Sequence, residues 1–455
     1  MEISRMNIRR RDFLRIASVF TTGTLAAPLV LRARGQRAPA NERVTLAVIG
    51  CGNQAPEDLK HFLPIEQLQV VAVCDVNRAS YGYKTPKQYL GREPVRDLVN
   101  QYYAQSTRSG TYRGCDAYED FREVLVRKDV DAVAIITPDH WHAIMTIWAA
   151  AAGKDIYCQK PLSLTVRDGQ EMIRAVRQHQ RVLQTGSQWR SDPTIRRFAE
   201  IVRNGLIGQP KRCRTLVAPN NFKGPGPGWK PAPVPEGFNY DLWLGPAPMK
   251  PYHPDRCLYR FRFISDYSGG QTTNFGHHSN GAAFLALGLD TTGPVEVWNL
   301  GAEWPEPGDL FDTATKVHFG ARFESGVEFE CITDPKQFGV RIEGTEGWVE
   351  TDGKTITASS SAIANWQPGP DSIRVYQSDH HYRNFVECVL SRKDPAEPVE
   401  VGHRVSSFCH LGNIAMKLDR RLKWDPKAER FVDCEEANAM LSRPHRAPWS
   451  YLPPS

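Results

Sequence analysis

Four short stretches of the chain carry residue types that can do chemistry. In "GGQTTNFGHHSNGAAFLALG" (269–288), His277 and His278 stand side by side ahead of an apolar run. They could form a metal pair, carry a proton, or be the polar start of a helix. Neighbours on a helix point about 100° apart, so one ion held between both rings is disfavoured. In "TPDHWHA" (137–143), His140 and His142 stand two apart with no third ligand in view. The ten cysteines show no CxxC and no zinc spacing. No metal is therefore expected.

The third stretch, "VTLAVIGCGNQAPEDLKHF" (44–62), sets Gly50, Gly52 and Ala55 as G-x-G-x-x-A. The first glycine makes a turn, the second lets backbone approach a pyrophosphate, and the small third residue packs helix on strand. Gly50, Cys51, Gly52 and Asn53 thus form a candidate cofactor turn, with helix amides behind it for the anion. Asp75 ends the next strand-like run, twenty residues after Ala55. A carboxylate there accepts from ribose hydroxyls and repels a 2′-phosphate, which favours NAD over NADP. The bland alternative is an Asp that caps a turn. The fourth stretch is "YCQKPLSLT" (157–165), with Lys160 at the end of an apolar run.

Strand–helix alternation must position these residues. "RVTLAVIG" (43–50), "QLQVVAVCD" (67–75), "VDAVAIIT" (130–137), "KDIYC" (154–158) and "RVLQTG" (181–186) read as buried parallel strands. Helical patterns lie between them at 118–128, 142–153 and 165–180. The fold class is α/β, with a Rossmann-type doubly wound parallel sheet over 41–185. Residues 78–117 read as an insertion with one helix over the sheet edge. Beyond 186 the texture changes to a Pro/Gly-rich excursion (218–238), alternating strands with Gly turns, and two late helices (381–392, 404–420). Residues 186–455 are expected to form an α+β domain with a large open, mainly antiparallel sheet.

The net charge of +6 is local. Residues 1–38 hold eight arginines against Glu2 and Asp12, which leaves 49 basic and 49 acidic residues in the rest of the chain. That balance does not support a nucleic-acid surface. "NIRRRDFLR" followed by "IASVFTTGTLAAPLVL" resembles a twin-arginine (Tat) export signal, too short for a membrane span. A basic tail or a retained anchor is the alternative. Export by the Tat machinery implies an extracytoplasmic, periplasmic location.

At "ITPDHWHA", "YCQKPLSLT", "SQWRSDPTIRRFAEIVRNGLIGQPKR", "DLWLGPAP", "DYSGG" and "GHRVSSFCHLGNIA" the chain resembles the Gfo/Idh/MocA oxidoreductases. The resemblance covers nearly everything after the signal. It implies that Thr137, Pro138, Asp139, His140 and His142 lie along the cofactor. It also makes Lys160 the catalytic lysine, although Gln159 replaces the family's Glu before it. Setting "GG" and "LG" in register puts His278 at the family's catalytic histidine, Asn274 where a first Asp is usual, and Gly281 where a second is usual. With Asn in place of Asp, His278 is expected to be neutral more often. Gln188, Trp189 and Arg190 could face sugar or nicotinamide. Asp241, Trp243, Tyr252 and His253 flank the Pro-rich loop and suit a carbohydrate. His381, His403 and His410 read as packing or capping residues.

The expected function is NAD-dependent hydride transfer on a sugar, polyol or glycoside, with Lys160 and His278 handling the proton and Asn274 orienting. Because free NAD is scarce outside the cytoplasm, a tightly bound, recycled cofactor is expected. A redox-assisted glycoside hydrolase or lyase and a non-catalytic sugar-binding protein are the alternatives. An exposed open sheet makes a homo-oligomer the expected assembly.

Overall fold

The computed structural model describes residues 42–335 and 338–453. The export segment expected over residues 1–38 lies outside them. Six strands form the first sheet: β1 (Val44–Ile49), β2 (Leu68–Cys74), β3 (Asp116–Tyr118), β4 (Ala132–Ile135), β5 (Asp155–Gln159) and β6 (Leu183–Gly186). Their order is β3-β2-β1-β4-β5-β6, every pair parallel. β1, β4 and β5 are almost wholly buried because helices cover both faces, hence their continuous apolar runs. Strand order reverses between β1 and β4. In such sheets a ligand crevice opens where the connections diverge.

Helix α1 (Ala55–Phe62) buries Ala55, Asp58, Leu59 and Phe62, a stripe at helical spacing in which one member is a carboxylate. Two expectations need adjusting. The helix expected over 118–128 shrinks to Phe121–Leu125, capped by the Asp120 side chain, because "DAY" before it joins the sheet as edge strand β3. The helix expected over 142–153 runs Asp139–Ala151. Pro138 is extended and sits at its N-cap, so His140 and His142 belong to the first helical turns and not to a loop. The 78–117 insertion contains a small hairpin (Ser80–Tyr81 with Tyr89–Leu90) and the helix Arg92–Ala104.

Among the described residues the second sheet has nine strands. It is antiparallel apart from the pairing of Pro210–Val217 with Glu328–Thr333. Helices Pro193–Arg203, Gly276–Leu287 and Val399–Leu418 pack on one face. Phe284, Phe319, Phe323, Phe329 and Phe408 interlock in that core. Segment 238–267 forms a separate aromatic cluster with Phe238, Trp243, Tyr252, Phe261 and Tyr267. Trp243 and Phe261 from it line the first sheet's crevice.

Candidate active site

At the β1/β4 divergence the structure has an open cleft, lined among others by Gly52, Asp75, Thr137, Lys160 and Arg262. Gly50 closes β1 with φ +98°, a conformation that glycine adopts without strain. A Cβ on it would lie 2.6 Å from the Ile136 carbonyl carbon, so the turns after β1 and β4 touch backbone to backbone. Gly52 and Asn53 line the cleft. Cys51 does not: its side chain is buried, and its amide donates to Asp75 Oδ2 at 2.6 Å. The Asn77 amide donates to Asp75 Oδ1 at 2.8 Å. Burial raises the Asp75 carboxyl, and those two amides and Arg92 oppose the shift. Asp75 faces the cleft with lone pairs to spare for ribose hydroxyls. The hairpin insertion covers this end. The Tyr83 ring would meet a Cβ on Gly52 at 3.2 Å, and Gln88 Nε2 donates to Asn53 Oδ1 at 2.9 Å.

Thr137 and Pro138 line the cleft as expected. His140 and His142 do not, because the helix starting at Asp139 turns both rings into protein. His140 Nε2 bonds the Trp243 carbonyl at 3.1 Å, and burial holds the ring neutral, its pKa lowered to about 3. His142 spans two carbonyl acceptors, Pro161 O at 2.8 Å and Thr137 O at 2.9 Å. Two acceptors call for two N–H donors, hence an imidazolium. Burial opposes that charge, but Cys158, Asp139 and the Pro161 carbonyl outweigh it and push the pKa up to about 9. His142 thus ties the β4 loop to the β5 loop.

β5 delivers Lys160 to the cleft. Its Nζ donates to Asn274 Oδ1 at 2.8 Å and to Asn274 O at 3.0 Å. Asn274 ends the short helix Gln271–Asn274, and its Nδ2 donates to Gln271 Oε1 at 2.9 Å. The first-sheet lysine and the second domain's asparagine therefore meet in one place. Two of three ammonium protons are committed, and one remains for a ligand. Burial and the Arg262 cation lower the Lys160 pKa to about 8, against Asp139 and Asp58.

His278 stands four residues beyond Asn274, part-buried, and is not among the residues lining the cleft. Its Nδ1 is buried without a hydrogen-bond partner. Burial first, then Lys160, His277 and His381, drive its pKa well below the usual imidazole value. The ring is neutral, with burial as the first cause. His277 is buried and bonds Glu397 Oε1 at 2.9 Å, which removes it from the cleft. Gln188 also turns away, donating to Tyr382 Oη at 3.1 Å. Asp241 pairs with Arg446 and His253 Nδ1 accepts from the Asp255 amide, and neither lines the cleft. His381, His403 and His410 are buried packing residues, bonded to Thr185 O, Glu429 and Ser163 O.

Reading the sequence missed Arg262, Tyr83 and Asp58. Arg262 lines the cleft, its guanidinium over the rings of Tyr259 (4.4 Å) and Phe261 (4.7 Å). Asp58 lies behind Gln159, whose Nε2 donates to Asp58 Oδ2 at 2.7 Å. Only Asp58 had a visible signal: a carboxylate in the apolar stripe of α1.

Residues 44–187 match the oxidoreductase family's NAD-binding Rossmann fold, and residues 191–451 match that family's C-terminal alpha/beta domain. The chain belongs to the Gfo/Idh/MocA oxidoreductase family. Residues 44–187 are therefore that family's NAD-binding Rossmann domain. The glycine turn without room for a Cβ and the amide-held Asp75 fit that cofactor. The aldose-aldose oxidoreductase of Caulobacter crescentus, crystallised with glycerol, shares the fold with a TM-score of 0.57 at 22% identity, over 84% of this chain and 99% of that one. A glycosyl hydrolase family 109 protein 1 of Shewanella sp. strain MR-4 is 30% identical over 182 residues, 37% of this chain and 36% of the relative. An alpha-N-acetylgalactosaminidase of Shewanella oneidensis is 28% identical over 221 residues, 45% and 44% of the two chains. The chain thus matches less than half the length of these curated relatives.

Proposed function

We propose that this oxidoreductase acts on a sugar, polyol or glycoside by hydride transfer, with an NAD that it retains between turnovers. The observation that carries the proposal is the meeting, in one cleft, of the glycine turn, Asp75 and a Lys160 ammonium with one proton uncommitted. Gly50, Gly52 and Asn53 would receive the pyrophosphate and Asp75 the adenosine ribose, with Thr137 and Pro138 along the dinucleotide. NAD, when bound, supplies the hydride acceptor. Lys160 would donate its remaining N–H to the substrate hydroxyl oxygen and stabilise negative charge developing there. With a pKa of about 8, it can also hold or release that proton near neutral pH. Asn274 orients the ammonium without adding charge. His278, outside the cleft lining, is held neutral by burial and by the Lys160 charge, so the proton-handling role rests on Lys160. Trp243, Tyr259 and Phe261 line the cleft with apolar surface suited to the C–H groups of a sugar.

Retention is supported by the insertion, whose Tyr83 and Gln88 close over Gly52 and Asn53. Export by the Tat route belongs to the same proposal, since a cofactor acquired before export must be recycled. A homo-oligomer through the open sheet is proposed with it. A second reading, net cleavage of a glycoside with the cofactor unchanged at the end, is favoured by the names of the Shewanella relatives. The test is turnover by purified protein, without added cofactor, on aldoses or polyols paired with a second sugar carbonyl as hydride acceptor, which reoxidises the bound NADH, and on p-nitrophenyl glycosides, whose cleavage is redox-neutral. Wild type should turn over one class, and Lys160→Ala should lose that activity. Equal turnover by Lys160→Ala overturns the assignment.

A further inference from the structure

Gln159 leaves Lys160 without the acidic neighbour that the family motif places before it. The chain has not lost that carboxylate from the region. Asp58 is fully buried, on a different element, directly behind Gln159. Its Oδ2 accepts from Gln159 Nε2 at 2.7 Å, and its Oδ1 accepts from Gln54 Nε2 at 2.8 Å and Tyr382 Oη at 2.9 Å. Three neutral donors converge on one buried carboxylate, and the structure gives it no ion-pair partner among the described residues. The Gln159 amide is also pinned from outside: a Cβ on Gly186 would lie 2.9 Å from its Cδ. With Nε2 committed to Asp58, Gln159 Oε1 faces the Lys160 amide at 3.2 Å.

We propose that Asp58, acting through Gln159, is the positioning carboxylate for Lys160, displaced from β5 to α1. The proposal rests on the reading of Lys160 as the proton-handling group. The swap has a physical logic. A Glu at 159 would put the charge beside the ammonium. A Gln backed by Asp fixes the amide's orientation and keeps a longer-range negative charge, so the ammonium is held less strongly. Among the charges acting on Lys160, Arg262 disfavours the ammonium from the cleft side, and Asp139 and then Asp58 favour it. Facing Asp58 are Gln54 at the N-cap of α1, His61 from α1, Gln159 from β5, and Tyr382 with Tyr157 beyond it. Facing Lys160 are Asn274, Arg262, Asp139 and His278.

Competitive acetylation of the intact protein with acetic anhydride, from about pH 6 to about pH 10, reads the Lys160 pKa from its peptide by mass spectrometry. Asp58→Asn should lower that pKa by about half a unit to one unit, since a negative charge is lost. Asp58→Asn/Gln159→Glu, which returns the charge next to Lys160, should raise it to or above the wild-type value. A merely structural Asp58 would not move the titration in opposite directions in the two variants. Should Asp58→Asn fail to fold, Gln159→Met keeps the carboxylate but cuts the link, and altered Lys160 acetylation there supports the proposal. An unchanged Lys160 titration in the folded variants overturns it. That outcome leaves the Lys160 reading standing, because Lys160→Ala turnover tests that reading separately.

Discussion

Lys160 on the first sheet and Asn274 on the second domain are joined twice, through Oδ1 at 2.8 Å and the main-chain O at 3.0 Å. The contact crosses 114 residues of chain and brings a titratable cation to a neutral partner. Neutrality matters. A carboxylate in the same place would hold the ammonium far more tightly.

Asn274→Asp tests that point. The new charge at hydrogen-bond distance should raise the Lys160 pKa from about 8 by about one to three units. Turnover near neutral pH should fall, because proton release from Lys160 becomes harder. Competitive acetylation of Lys160 checks the shift directly.

His142 makes a pH prediction for stability. Its folded pKa, pushed up to about 9, lies above the unfolded value of about 6.5. Its stabilising contribution is therefore complete below about pH 6.5 and is lost as pH rises through about 9. Thermal unfolding should show a declining Tm across that window. His142→Gln, which has no titratable ring, should flatten it.

Gly50→Ala places a Cβ against the Ile136 carbonyl at a positive φ. Backbone strain alone should cost about 1–3 kcal/mol. The turn must also shift away from the cleft. The expected result is a lower denaturation midpoint and loss of copurifying NAD, measured on the same preparation.

Asp75→Ser should remove the ribose acceptor and the repulsion of a 2′-phosphate. NAD affinity should fall about tenfold, roughly 1.4 kcal/mol, and discrimination against NADP should relax. Titration of cofactor-stripped protein with each nucleotide measures both.

Much of this was written in the sequence, and the failures share a cause. Continuous apolar runs bounded by glycine gave β1, β2, β4, β5 and β6, because parallel strands are buried on both faces. The edge strand "DAY" has no such run and escaped. Gly50, Gly52 and Asp75 were legible because their roles depend on local backbone and spacing. His140 and Gln188 were misplaced because their partners, Trp243 O and Tyr382 Oη, are distant in sequence; the role of His277, left open, is decided by a partner just as remote. Nothing near His277 announces Glu397, 120 residues on. Likewise, "TPDHWHA" does not show that the helix begins at Asp139 and turns both rings inward. Asp58 left the one usable trace, a charge where α1 should be apolar.

The central claim is a retained NAD serving hydride transfer beside Lys160. Its most direct test is to denature the purified, folded protein and quantify the NAD(H) released, with no cofactor supplied at any step. The account predicts about one nucleotide per chain. Release of none, together with turnover that appears only when NAD is added, would contradict it.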